Sequence, residues 1–277
     1  MSRIIAKTLY NLDRLLVFFL SRRQKNRIFS RINENILKDS IRVIETDKGG
    51  LKFNHLSSAY VASGIERFHE DEPETLQWIK SFNDGDVFWD IGANIGLYTL
   101  YAALGNKLNV YAFEPSALNY SLLIEHLDLN KLDKNVVALC IAFSNTTSID
   151  KIYIRNPVPG SGSSLSHPSS QFGEYEPAFQ QGIISYELDK FREIFNLEQP
   201  DHIKIDVDGI EPQIIQAGIN TLSGAKSLLV EVEGVNRDKF DSEIVGKLSD
   251  IGLIENEEVR HMGHKRNRLY IKNADNR

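Results

Sequence analysis

Val87-Phe88-Trp89-Asp90-Ile91-Gly92-Ala93-Asn94-Ile95-Gly96-Leu97-Tyr98 is the stretch on which the fold turns. A β-branched and aromatic run gives way to small residues and then to a periodic apolar segment, which predicts strand, glycine-rich loop and helix. Gly92 and Gly96 tolerate the positive φ needed where a strand reverses into a helix, and their missing Cβ atoms leave the backbone open to a ligand. In an open parallel α/β sheet, ligands bind at such turns, outside the carboxyl ends of the strands.

The next signal lies downstream, in Val110-Tyr111-Ala112-Phe113-Glu114-Pro115. It reads as a second strand ending in an acid, where a carboxylate can accept hydrogen bonds from ribose hydroxyls. With Asp90 ahead of it, the G-x-x-x-G spacing resembles the loop that holds S-adenosylmethionine in Rossmann-like methyltransferases. It lacks the G-x-G-x-x-G pattern of dinucleotide binders. Ser116 is placed to cap a helix carrying Leu118, Leu122, Leu123 and Leu127, and Val136 to Phe143 reads as a fully buried third strand. Strand and helix alternate from 87 to 143, and right-handed crossovers turn such a series into a parallel sheet.

Beyond that the alternation stops. Residues 145 to 186 contain an Ile-Tyr-Ile strand and a Gly/Ser/Pro-rich loop at about 156–172, read as a flap over the substrate or cofactor because it has little with which to pack. It resumes with His202-Ile203-Lys204-Ile205-Asp206-Val207-Asp208-Gly209-Ile210-Glu211-Pro212, a strand running into a helix that Gly218 or Gly224 would end. Ser227 to Glu233 is the next strand, a helix follows around 238 to 248, and Arg268 to Lys272 closes the domain as a last strand.

Upstream, Asp47-Lys48-Gly49-Gly50 signals a hairpin, and Glu70 to Ile79 opens with an acidic, Pro-containing helix start. Between Arg3 and Arg31 there are eight Lys or Arg residues against one acid, Asp13, a surplus of seven that leaves −13 for the remainder of a chain whose net charge is −6. Residues 1 to about 40 read as helical, with Ile4, Ile5, Leu9, Leu12, Leu15, Leu16 and Phe19 on one face. This basic arm is expected to pack on the catalytic domain or a second subunit. The alternative is peripheral contact with an anionic membrane through Arg22, Arg23, Lys25 and Arg27. Its densest apolar run is too short to span a bilayer, and Asp13-Arg14 interrupts any signal-peptide core. Cys140 is the lone cysteine, expected in the core.

The set Asp-Ile-Gly-Ala-Asn-Ile-Gly (90 to 96), Phe-Glu-Pro-Ser with Asn119, Gly-Ser-Gly-Ser-Ser-Leu (160 to 165), Ile-Lys-Ile-Asp-Val-Asp-Gly-Ile-Glu (203 to 211) and Leu-Val-Glu-Val-Glu (229 to 233) resembles the FkbM family of S-adenosylmethionine-dependent methyltransferases. The resemblance implies a class I Rossmann-like α/β fold, with a mostly parallel seven-stranded sheet and helices on both faces. It also implies, most often, O-methylation of a hydroxyl on a sugar, glycan or natural-product scaffold. The family commonly has Glu where this chain has Asp208.

The expected cofactor residues are Asp90, Gly92, Ala93, Asn94, Gly96, Glu114, Pro115, Asn119 and Asp206. Asp206, at the mouth of the sheet, is the candidate base or substrate orienter, with Glu231 second. His167 and His202 are alternative bases, while His261 and His264 read as solvated. The carboxylates around Asp206 have the outline of a Mg2+ site but no firm ligand spacing, so no metal is predicted. Capping is the plain reading of Glu211.

The expected division is an arm and β lead-in at 1–56, then a catalytic domain at 57–277. The expected partner is a small-molecule or glycan acceptor; nucleic acid is disfavoured by the net charge. A homo-oligomer is possible. The expected location is the cytoplasm, or the membrane periphery if the arm binds lipid. Two further readings stay open: another nucleotide-using Rossmann enzyme such as an NAD-dependent oxidoreductase, and a non-catalytic scaffold subunit.

Overall fold

A computed structural model describes residues 7–273, apart from 9, 13, 14, 16, 106, 166, 171, 172, 233 and 235. Two compact units are present, Met1–Ile41 and Arg42–Arg277. In the first, the described residues do not form one continuous helix. Val17 to Leu20 turn and bend before a helix over Arg22–Asp39. Ser21 opens that helix through a capping box: Gln24 N–H donates to Ser21 Oγ, and Ser21 N–H donates to Gln24 Oε1 at 3.0 Å. Local hydrogen bonding at Ser21 thus competes with the helical periodicity and restarts the helix. Ile4, Ile5, Leu9, Asp13, Arg14 and Leu16 lie outside the described residues. No helix among those described is long and apolar enough to cross a membrane.

The hairpin forms over Ile41–Thr46 and Gly49–Asn54, its turn tied by Thr46 Oγ1 donating to Gly49 O at 2.7 Å. A helix over Ala59–Glu66, which the sequence reading omitted, precedes the expected one at Pro73–Lys80.

The central sheet contains β1 (Val87–Ile91), β2 (Asn109–Phe113), β3 (Val136–Leu139), β4 (His202–Ile205), β5 (Ser227–Glu231), β6 (Leu253–Asn256) and β7 (Asn267–Lys272). In space the order is β3-β2-β1-β4-β5-β7-β6, with β7 antiparallel to both neighbours and the other pairs parallel. The chain starts in the centre, builds outward through β3, then returns to place β4 beside β1. β1 is buried along its whole length, and its alternation feeds two cores: Phe88 packs with Leu100, Val110 and Leu123, and Trp89 packs with Phe113, Phe191 and Ile203.

Two strand expectations are corrected. Val136 to Phe143 is not one buried strand. Val136–Leu139 is the sheet's edge, with Val137 48% exposed, whereas Ala142–Phe143 has crossed to a second sheet. Cys140 lies in the crossing and is half-buried, donating to Pro115 O at 3.5 Å, with its thiol pushed up by burial and the nearby Glu114 charge.

Within the expected flap at about 156–172, Ser163–Leu165 and Ser169–Ser170 are strand and the other described residues are turn, bend or irregular. Ser148–Ile154, Ser163–Leu165 and Phe179–Tyr186 join Ala142–Phe143 in a four-stranded sheet, and Ser163–Leu165 pairs antiparallel with Ile152–Ile154. A Ser-rich run shows little apolar alternation, but backbone hydrogen bonds to a well-formed neighbour suffice to order it.

Candidate active site

Site geometry starts at the turn after β1. Gly92 (φ 88°), Asn94 (φ 51°) and Gly96 (φ 88°) all adopt left-handed backbone, and Gly92 and Ala93 N–H both donate to Phe113 O. The glycines serve packing more than ligand access. A Cβ on Gly92 would lie 1.8 Å from Asp206 O, and one on Gly96 would lie 2.4 Å from Leu123 Cδ1. Gly92 is what lets the turns after β1 and β4 touch, bringing Asp206 to the glycine loop.

Glu114 follows β2 and is buried. Its Oε2 accepts from Asn94 N–H (2.8 Å), while Oε1 accepts from Ser116 N–H (2.9 Å) and Asn119 Nδ2 (3.3 Å). A carboxylate has about four acceptor directions, so Oε2 keeps one to offer a ligand. Burial pushes Glu114 up to about 7 despite those donors, with Asp208 adding to the rise. Asn119 ties the acid to the Ser-rich segment, donating also to Ser161 O (3.0 Å) and accepting from Gly160 N–H (2.8 Å).

Behind the turn lies a buried charge cluster. Lys204 and Asp90 are register partners on β4 and β1, so their side chains share a face. Lys204 Nζ is 2.6 Å from Asp206 Oδ2, 3.7 Å from Glu72 Oε2 and 5.1 Å from the Tyr98 ring centre. Burial alone would depress the ammonium, but Asp206, Glu72 and Asp90 outweigh it and hold Lys204 charged. Asp206 is held below its ordinary value because Lys204 overcomes the burial that would raise it.

Glu231 at the end of β5 is pushed the other way, by burial and then by the Asp206 charge, although Arg266 Nη1 approaches it at 3.2 Å. Within the pair, Asp206 is thus biased toward its ionised form and Glu231 toward its protonated one. Asp90 is raised by burial and accepts from Thr99 Oγ1 at 2.5 Å, which makes it a brace for the helix over Leu97–Ala103.

Two cavities flank this cluster. The larger, about 630 Å³, is apolar at Ile141, Phe143 and Ile152, acidic at Glu114, and polar at Asn94, Asp206, Glu231 and Arg266. The smaller, about 190 Å³, reaches Asp90, Ala93, Tyr98, Lys204 and His264. Of the anticipated cofactor residues, Gly92, Asn94 and Asp206 line both; Glu114, Pro115 and Asn119 line the larger; Asp90 and Ala93 line the smaller. Gly96 lines neither. Among the described residues no group of three or more His, Cys, Asp or Glu side chains is placed to hold a metal ion.

Several readings change. His202 opens β4, at the opposite end of the strand from Asp206, and bonds Ser227 Oγ (2.7 Å) and Asp86 Oδ2 (3.0 Å), so it does not reach the site. His167 is exposed and lines neither cavity. His264 is exposed, as its solvated reading has it, and also bonds Asp71 Oδ1 at 3.0 Å beside the smaller cavity. Glu211 caps the turn after β4, accepting from Val207 and Gly209 N–H, and burial pushes it up to about 7. Beyond Ile205 the strand ends, and Asp208 adopts a left-handed φ of 55°, so Asp208 does not follow the alternation of β4. Glu233 lies outside the described residues. Glu72, Tyr98 and Arg266 were missed. Arg266 precedes β7, and only that strand's reversed insertion beside β5 sets it against Glu231.

A 3-2-1-4-5-7-6 sheet with a glycine turn after β1, an acid after β2 and an acidic cluster after β4 defines a Rossmann-like α/β architecture with its cavity outside the carboxyl ends of the strands. The family described as the methyltransferase FkbM domain matches residues 90–276, and the chain belongs to it.

Among curated relatives, the chain is 26% identical over 154 residues to the hexuronic acid methyltransferase AglP of Haloferax volcanii, covering 56% of this chain and 59% of the relative. It is 28% identical over 153 residues to the methyltransferase sdnD of Sordaria araneosa, covering 46% of this chain and 58% of that protein. It thus spans under two thirds of the length of these relatives. Among solved structures it is similar to precorrin-6y C5,15-methyltransferase from Geobacter metallireducens GS-15 (TM-score 0.43, 15% identity, 73% of this chain and 87% of that one). It is also similar to M. jannaschii TYW2 in complex with AdoMet (TM-score 0.41, 14% identity, 78% and 75% covered).

Proposed function

We propose that this chain transfers a methyl group from S-adenosylmethionine to a hydroxyl of a sugar, glycan or natural-product scaffold. The observation that carries the reading is the placing of two differently tuned carboxylates, Glu114 and Asp206, on either side of the Gly92–Asn94 turn in one cavity. The cavity suits the cofactor in size and polarity. Its apolar end takes the adenine, Glu114 accepts from the ribose through the free direction on Oε2, and Asn94 faces the amino-acid end. Asn94 Oδ1 is buried without a hydrogen-bond partner among the described residues, as a group awaiting a ligand donor would be.

When bound, the cofactor supplies an electrophilic methyl on a sulfonium. The protein must then hold a hydroxyl in line and receive its proton. Asp206, kept ionised by Lys204, accepts the hydrogen bond that aims the hydroxyl and takes up the proton that the hydroxyl loses as it is methylated. Glu231, holding a proton beside it, donates to Asp206 and keeps the pair at a single negative charge. A hydroxyl-rich acceptor suits this rim, because carboxylates accept from hydroxyl groups. The AglP relative, named for hexuronic acid methylation, makes an acidic sugar the first acceptor to try, with Arg266 as the cation that lines the larger cavity beside Glu231.

The test is calorimetric titration with S-adenosylhomocysteine, followed by transfer of labelled methyl to uronic acids, neutral sugars and glycans. Glu114→Ala is expected to weaken binding by about 1.5–3 kcal/mol, the value of a hydrogen bond to a charged acceptor. Asp206→Asn is expected to keep binding within a few-fold and lower turnover by about 10² or more. No binding to the wild type would end the reading, and transfer only to amines would overturn its acceptor half.

A further inference from the structure

The Met1–Ile41 unit carries a feature that the proposed chemistry does not use. In the helix over Arg22–Asp39, at about 100° per residue, Ile28, Phe29, Ile32 and Ile36 fall within one arc of about 100°. Arg23, Arg27, Arg31 and Lys38 fall on the opposite side with one acid, Glu34, among them, the three arginines in an unbroken i, i+4 row. None of the helix's residues is buried. Immediately before it, the turn presents Phe18 and Phe19, their rings edge to face at 5.2 Å and 67% and 93% exposed.

Within the same unit, Lys25 Nζ donates to Phe18 O at 3.0 Å, and a groove of about 480 Å³ runs between Leu15, Val17, Phe18, Lys25 and Phe29. Leu12 and Leu15 add further exposed apolar surface, at 51% and 70%. A unit of this size cannot bury such surface by itself.

We propose that this arm lies on an anionic lipid surface, with Phe18, Phe19 and the Ile28/Ile32 face in the headgroup–acyl boundary and the arginine row among the phosphates. Two properties of the arm must be met together, an apolar stripe and a positive row, each running about 12 Å along the helix. Anionic headgroups lying over acyl chains meet both along that length. The aromatic pair at a tip followed by Arg22, Arg23 and Lys25 adds an insertion point beside the charges that hold it there. The helix is polar enough on one side to lie in the interface, which accords with the absence of a membrane-crossing helix among the described residues.

The experiment is cosedimentation of the full chain with vesicles of phosphatidylcholine alone or containing about a third phosphatidylglycerol. Light scattering on the same samples reports the oligomeric state. The variants are Phe18→Ser/Phe19→Ser and Arg23→Glu/Arg27→Glu/Arg31→Glu, all at exposed positions. Wild type is expected to bind the anionic vesicles and to be released by high salt. The charge reversal is expected to lower partitioning at least about tenfold, and the aromatic pair several-fold, with S-adenosylhomocysteine binding unchanged in both. The proposal fails if wild type ignores anionic vesicles, or if both variants bind them equally well. It also fails if wild type is a dimer that Phe18→Ser/Phe19→Ser converts to monomer, which would make a second copy the occupant of this face.

Discussion

The two ends of the central sheet are built from the same strands and treat buried charge in opposite ways. At the amino end, every polar group of the cluster has a partner: Trp78 Nε1 donates to Ser227 Oγ (2.8 Å), Ser227 meets His202, His202 meets Asp86, and Lys226 Nζ sits 2.6 Å from Asp86 Oδ1. His202 also stacks on Phe82 at 3.7 Å. At the carboxyl end, four acids gather about the single buried Lys204. Their affinities for protons are driven apart, and Asn94 Oδ1 has no partner among the described residues. The first arrangement is closed and stabilises. The second leaves a buried acceptor unpaired and opens into a cavity, and under the proposed function this difference separates a structural end from a reactive one.

The sharpest way to break that contrast is Lys204→Met. Removing one member of a buried charge network typically costs about 3–5 kcal/mol, because the remaining charges lose compensation. We expect a loss of that order in urea-melt stability at neutral pH, partly recovered at acid pH as Asp206, Glu72 and Asp90 take up protons. A loss below about 1 kcal/mol would mean that the carboxyl end is relaxed after all.

At the amino end the expected effect is smaller, and it too fades as pH falls, for a different reason. Against the burial that would raise it, Lys226, the Asn83 amide and His202 hold Asp86 down to about 2, from an ordinary 3.8. A carboxyl lowered in the folded state stabilises above its unfolded value and loses that contribution as pH falls through the folded one. Asp86→Asn should therefore cost about 2 kcal/mol at pH 7 and little near pH 2, while S-adenosylhomocysteine affinity stays within twofold. Chemical denaturation across pH, paired with calorimetry, checks both halves. A weakened ligand would show that the two ends are not independent.

Much of the carboxyl end was legible before the structure because its signals are local. Asp90, the glycine turn and Glu114 lie on two consecutive strands joined by one helix, and strand order follows from right-handed crossovers. The Lys204–Glu72–Tyr98 contact was not legible, because Glu72 precedes a helix in a different part of the chain and nothing in its own neighbourhood points toward β4. Arg266 escaped for a similar reason, since an antiparallel strand inserted between β5 and β6 breaks the rule of consecutive neighbours. The Ser163–Leu165 strand was hidden by composition, its order coming from backbone pairing with Ile152–Ile154. His202 misled because its residue type suggests chemistry wherever it occurs, and only its place at the start of β4 assigns it to the structural end.

The smallest expected effect separates two acids with the same displaced affinity. Glu114 and Glu211 are both pushed up to about 7 by burial, but only Glu114 faces the larger cavity. A carboxyl raised in the folded state contributes stability that is complete below its unfolded value, 4.5, and lost as pH rises through about 7. Both acids should thus make the ligand-free protein less stable at pH 8 than at pH 6. Ribose hydroxyls are donors, however, and favour the ionised form of Glu114. Affinity for S-adenosylhomocysteine should therefore rise over the same interval, by about tenfold as the ionised fraction grows around a midpoint near 7. Glu114→Ala should flatten the affinity profile, while Glu211→Gln should flatten part of the stability profile and leave the affinity profile intact. If Glu211→Gln flattened the affinity profile instead, the proton linked to binding would belong to the turn after β4, and the ribose contact would have to be reassigned there.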